Sequence, residues 1–147
     1  MLPDLVSRVC VTGGACIWAC VLLLMLPLRW VFAAILAAAV HEVSHLLALY
    51  LLGIRVFGIT VGGRGAVLET DSLTDGQELL CALAGPVGSF VLLIFAQWIP
   101  RVALCGLCQG LYNLIPLGNL DGGRVLRSLV NLVHRKKPCK QGKERVQ

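Results

Sequence analysis

WVFAAILAAAVHEVSHLLALYLLG, residues 30 to 53, is a run of 24 residues in which only His41, Glu42 and His45 carry an imidazole or a carboxylate. At about 1.5 Å per residue such a helix is some 36 Å long, enough to cross a hydrocarbon core about 30 Å thick. Three further stretches have the same character. Cys10 to Leu28 carries no charge in 19 residues, Leu79 to Pro100 none in 22, and Val102 to Leu120 none in 19. Because about 20 apolar residues suffice for a span, the sequence predicts an all-α membrane protein with about four transmembrane helices.

Composition agrees. Of 147 residues, 57% are hydrophobic and 14% are charged, against roughly 25% charged in ordinary soluble domains. A water-soluble globule would have to leave much of that apolar surface exposed, and intrinsic disorder needs the opposite balance. The length suits one domain, taken as residues 1 to 133, followed by a basic tail from 134 to 147. The first apolar run exceeds the roughly 7 to 15 residues of a signal-peptide core, so it is read as a retained helix.

Lysine and arginine placement sets the expected orientation. With both termini in the cytoplasm, that side carries Arg8, Arg55, Arg64 and the eight basic residues from Arg124 to Arg145, which leaves only Arg29 and Arg101 outside. The net charge of +5 therefore calls for no nucleic-acid partner. The tail His134-Arg135-Lys136-Lys137 reads as an anchor near anionic headgroups of the lipid bilayer.

One segment does not read as helix. Ile54 to Val61 is rich in β-branched residues, Gly62-Gly63-Arg64-Gly65 reads as a turn, and Ala66 to Thr70 as a returning strand. A small β-hairpin at the membrane surface, between the second and third spans, is expected, followed by an acidic linker from Asp71 to Glu78. Cys105 and Cys108 have the spacing of a redox or zinc pair but lie in an apolar run, where cysteine packs as a small hydrophobe.

The chemistry begins at His41-Glu42-Val43-Ser44-His45. Residues four apart share one helix face, so both imidazoles can reach a single metal ion while Glu42, beside them, activates water; this is the H-E-x-x-H arrangement of zinc hydrolases. Burying three such side chains at mid-span without a partner costs about 2.5 to 3.5 kcal/mol each on insertion scales. A catalytic zinc takes three protein ligands and keeps one open position. Apart from Glu42, the acidic residue abutting an apolar span with no loop to solvate it is Asp121, and His134 in the tail is a weaker candidate. Pro116 and Gly118 should interrupt the fourth helix, leaving Asp121 to head a new one, as a ligand, an N-cap or both.

His41 to His45, taken with Asn113-Leu-Ile-Pro116-Leu-Gly-Asn-Leu-Asp121-Gly-Gly123, resembles the two signature motifs of the site-2 protease family of intramembrane zinc metalloproteases. Ala84-Gly85-Pro86 resembles a small-residue motif on that family's intervening helix. The second motif is most similar to the stage IV sporulation protein FB branch, which releases a membrane-tethered sigma-factor precursor. The resemblance covers about Trp30 to Val130. It implies that His41, His45 and Asp121 hold Zn2+, that Glu42 is the general base, and that Asn113 lies near the active site and steadies the oxyanion. Ser89 stands where the family often has asparagine, and Ser44 where glycine is common. The sporulation members also carry a cytoplasmic nucleotide-sensing domain for which these residues show no counterpart.

The expected activity is hydrolysis of a peptide bond in or near the membrane segment of a tethered protein, within regulated intramembrane proteolysis in a bacterial cytoplasmic membrane. The partners so implied are that membrane-tethered substrate and a regulatory membrane protein. The alternative is a catalytically inactive relative that binds a client helix.

Overall fold

Proline and glycine set the helix boundaries. In the computed structural model, which describes residues 9–11, 13–62, 65–118 and 120–135, helix α1 (Gly13–Met25) stops short of Pro27 and helix α2 (Leu28–Leu51) begins directly after it. Pro27 supplies the helix-compatible φ and needs no N–H there. Helix α3 (Asp75–Val91) runs into a 3-10 turn at Leu92–Phe95, helix α4 (Pro100–Asn113) opens on proline, and helix α5 (Asp121–Arg135) follows the Pro116 and Gly118 break.

Among the described residues two helices, not four, are long and apolar enough to cross a membrane: Leu28–Leu51 and Asp75–Phe95, of 24 and 21 residues. Only 28% and 33% of their most apolar windows are buried, so each turns an apolar face outward. Phe32, Ile35, Val43 and Leu47 are exposed on α2 alone. A soluble core helix would hide such residues; a lipid-facing one presents them. The other two expected spans fail on length. Val9–Val11 is drawn off into strand β1, leaving α1 with 13 residues, about 20 Å. The fourth stretch is cut at Asn113, so α4 has 14 residues.

The all-α expectation needs a second correction. Strands β2 (Val56–Gly62) and β3 (Gly65–Thr70) form the anticipated hairpin, with Ile59 opposite Leu68, and β1 adds in parallel, pairing Val9 with Ile59, to make a three-stranded sheet. Turn residues 63 and 64, and tail residues 136 to 147, lie outside the described residues. The expected acidic linker is half helix. Thr74 caps α3 in a capping box with Gln77, and Asp75 and Glu78 fall in its first turn, where negative charge complements the helix dipole.

Two apolar clusters bracket the middle of α2. Ala33, Ala37, Leu92 and Val102 pack together at one end. Leu49, Val56 and Cys81, with Ile59 and Leu68 of the sheet, pack at the other. His41 and His45 sit between them, in a polar layer closed on both sides.

Candidate metal centre

On α2 the four-residue spacing brings both imidazoles to one face, with ring centroids 4.9 Å apart and planes near perpendicular. α5 then delivers Asp121 from 80 positions away: its Oδ2 lies 3.1 Å from His41 Nε2 and 3.3 Å from His45 Nε2. The two Nε2 atoms are 3.3 Å apart, and all three residues are buried. Among the described residues, these three offer ligand atoms close enough to share one ion.

The hydrogen bonds behind the rings decide what that cluster is for. His45 Nδ1 lies 2.8 Å from the Cys81 carbonyl, and since a carbonyl only accepts, Nδ1 is the donor. The neutral ring therefore keeps its lone pair on Nε2. The Asn113 amide donates to His41 Nε2 over 3.1 Å, so that nitrogen is also an acceptor, and His41 Nδ1–H donates to Ser89 Oγ over 2.9 Å. With these tautomers both Nε2 atoms turn their acceptor sides toward the Asp121 carboxylate, an arrangement that a bound cation would satisfy.

The spacing fits zinc. Ligands about 2.0 Å from a tetrahedral ion lie about 3.3 Å from one another, which is the separation found. A donor set of two imidazoles and a carboxylate would leave the fourth position of a tetrahedral ion for water, as in catalytic rather than structural sites.

Backbone proximity explains the glycines. α3 crosses α2 at Gly85, where a Cβ would run into the imidazoles of both His45 and His41. On α5, a Cβ at Gly122 would strike the Leu114 carbonyl, so the turn that aims Asp121 closes only on a residue without a side chain. Arg124 Nε pairs with Glu78 over 3.5 Å, and Asn131 donates to Asp75 over 3.1 Å, fixing α5 against α3. Half-exposed contacts of this kind contribute little stability but hold the register that places Asp121.

This arrangement has a solved counterpart. The site-2 protease from Methanocaldococcus jannaschii matches with a TM-score of 0.70 over 90% of this chain and 70% of that chain, at 23% identity. The fold is that of a site-2 protease. In sequence, a Synechocystis sp. protein provisionally named a zinc metalloprotease is 38% identical over 116 residues, covering 67% of this chain and 30% of that protein. A zinc metalloprotease of Methanocaldococcus jannaschii is 30% identical over 109 residues, covering 65% of this chain and 32% of its own length. The chain thus spans less than a third of the length of these two relatives. No protein-family model matches it.

Within the site-2 protease fold, His41, His45 and Asp121 come together and Asn113 touches the first of them. Glu42 is half-buried, about 100° round the helix from His41 and about 60° from His45, on the flank of the centre. Sequence reasoning missed the orienting partners. Ser89, noted only as a departure from the family pattern, is fully buried and holds His41; the Cys81 carbonyl holds His45. The signal was present in the spacing: Cys81, Gly85 and Ser89 recur every four residues, one stripe of α3 facing the histidines on α2. Outer partners of this type fix the ring tautomer and its aim toward the metal.

Proposed function

We propose that this protein is a zinc metalloendopeptidase that hydrolyses a peptide bond in or beside the membrane segment of a tethered protein. The observation that carries the reading is the convergence of the His41 and His45 Nε2 atoms and the Asp121 carboxylate, beside Glu42 in sequence, on a helix whose outer face is apolar. His41, His45 and Asp121 would hold the zinc, which when bound would supply Lewis acidity toward a carbonyl and a bound water. Glu42 takes the proton of the attacking water and hands it to the leaving amine. Asn113, whose amide nitrogen already points at the centre, is placed to donate to the oxygen that gains charge in the transition state. Ser89 and the Cys81 carbonyl keep both imidazoles presenting Nε2.

The inward, mid-helix position of the centre favours a client embedded in or tethered to the bilayer over a freely soluble chain. Within that class, the Asn113 to Gly123 motif favours a membrane-tethered sigma-factor precursor, as in sporulation. Co-expression with such a precursor, with a tethered anti-sigma factor and with a soluble casein-like protein is expected to give cleavage of a tethered client and little of the soluble one. Preferential cleavage of the soluble protein would overturn the reading. Cleavage of the anti-sigma factor alone would remove the sporulation assignment.

Orientation is part of the proposal: both termini cytoplasmic, with residues 54 to 78 on the same side, and a regulatory membrane protein free to act from either face. In a cysteine-free background, a single cysteine at position 29 or 101 should label from outside and one at position 71 should not. The reverse pattern would turn the molecule over.

A further inference from the structure

Arg29 and Arg101 have no part in the proposed hydrolysis. They stand in the first turns of α2 and α4, each twelve residues before a residue of the centre, His41 and Asn113, so the two helices run side by side in the same direction and both arginines lie about 18 Å from the centre. Both line a cleft of about 280 Å3. Its walls include Phe32, Leu36 and Trp98, all exposed, and Val102 is buried at its base.

Two guanidinium groups at the edge of an apolar trough form an unusual pairing. Like charges at one cleft repel, and an anion between them reverses the sign of that interaction. Guanidinium is always charged and presents a planar fork of donors that matches phosphate oxygens two at a time. A free anion makes no use of the Phe32 and Leu36 wall, and a purely apolar ligand makes none of the arginines. Trp98 adds the amphipathic ring that favours the headgroup level of a bilayer.

We infer that this cleft binds an anionic phospholipid, with the headgroup phosphate between Arg29 and Arg101 and an acyl chain lying along Phe32 and Leu36. The volume takes a phosphate and its glycerol, leaving the chains on the outer apolar face of α2. The inference rests on α2 crossing the bilayer and is independent of peptide hydrolysis, so loss of cleavage activity leaves it standing.

Native mass spectrometry of the full chain in a neutral detergent tests it. The probes are dioleoylphosphatidylglycerol, dioleoylphosphatidylcholine and inorganic phosphate at equal concentration. Retention of phosphatidylglycerol should exceed that of phosphatidylcholine by about 30-fold, given two basic groups at the surface, and should fall to the phosphatidylcholine level in R29Q/R101Q at unchanged circular dichroism. R29K/R101K should keep part of the preference, since lysine meets phosphate as a point charge without the fork. Equal retention of the two lipids by the wild type overturns the site, and so does an undiminished preference in R29Q/R101Q. Displacement of the lipid by inorganic phosphate at equal concentration overturns the lipid assignment. Should R29Q/R101Q misfold, the wild-type comparison of the two lipids decides alone.

Discussion

Glu42→Gln is expected to lower the rate of cleavage of a membrane-tethered substrate by about 10²- to 10⁴-fold, the usual contribution of a positioned general base, while zinc content stays at the wild-type level. Glutamine keeps the size of the side chain and its place on α2 but cannot take a proton. The variant therefore separates proton transfer from metal holding, the role proposed for His41 and His45 on the neighbouring face. Metal analysis and a cleavage assay on the same preparation check both halves. Cleavage at the wild-type rate would remove Glu42 from the mechanism, and loss of zinc along with activity would recast it as a ligand. A wild type that binds zinc but cleaves no tethered client would favour the inactive, helix-binding alternative.

The second large effect is expected at Asp121. Asp121→Asn preserves shape and hydrogen-bonding capacity at the start of α5 but gives up the anionic oxygen that lies 3.1 and 3.3 Å from the two imidazole nitrogens. If the carboxylate only ended a helix, the change would cost about 1 kcal/mol of stability or less and activity would survive. As a ligand, its loss should take both zinc and activity to background. Ser89→Ala is the graded comparison: all three ligands stay, but His41 loses the group that fixes its tautomer, and metal affinity should fall by about 10- to 100-fold. Full activity in Asp121→Asn would refute the ligand assignment.

Local pattern carried the parts of this molecule that local pattern can determine. A 24-residue apolar run with histidines four apart specifies both the α2 helix and the face the two imidazoles share. Pro116 and Gly118 specify the break that lets Asp121 begin a new helix. The count of spans was not legible in the same way, because apolarity alone does not say what an apolar segment packs against. Val9–Val11 becomes a strand only because Ile59, 50 positions later, offers it an edge. Pairing of that range is a tertiary fact. The length of α4 was legible in the break at Pro116, but the apolar residues after it still counted toward a span.

Ser89 marks the other boundary of sequence reading. Its identity looked like drift from a family pattern, and its role emerges only where Gly85 lets α3 approach α2. Gly85 and Ser89 lie four apart and therefore on one face, so the inference was available once the crossing point was known. Asn113, by contrast, was named from its motif, and the break after it explains its position: the last residue of α4 and the first of α5 both reach the same imidazole.

That shared grip ties the first long helix to the last one. His41 and Asp121 are 80 positions apart, and an ion held between them closes a loop containing most of the described chain. Loops of that length carry a large entropic cost to close, and only the folded chain offers all three ligands at once. Metal binding and the docking of α5 are then one linked equilibrium. Each tenfold rise of free zinc above its dissociation constant adds about 1.4 kcal/mol to the stability of the closed form, and chelation should loosen α5 before it disturbs α2. In the proposed centre zinc would serve as a fastener as well as a reagent.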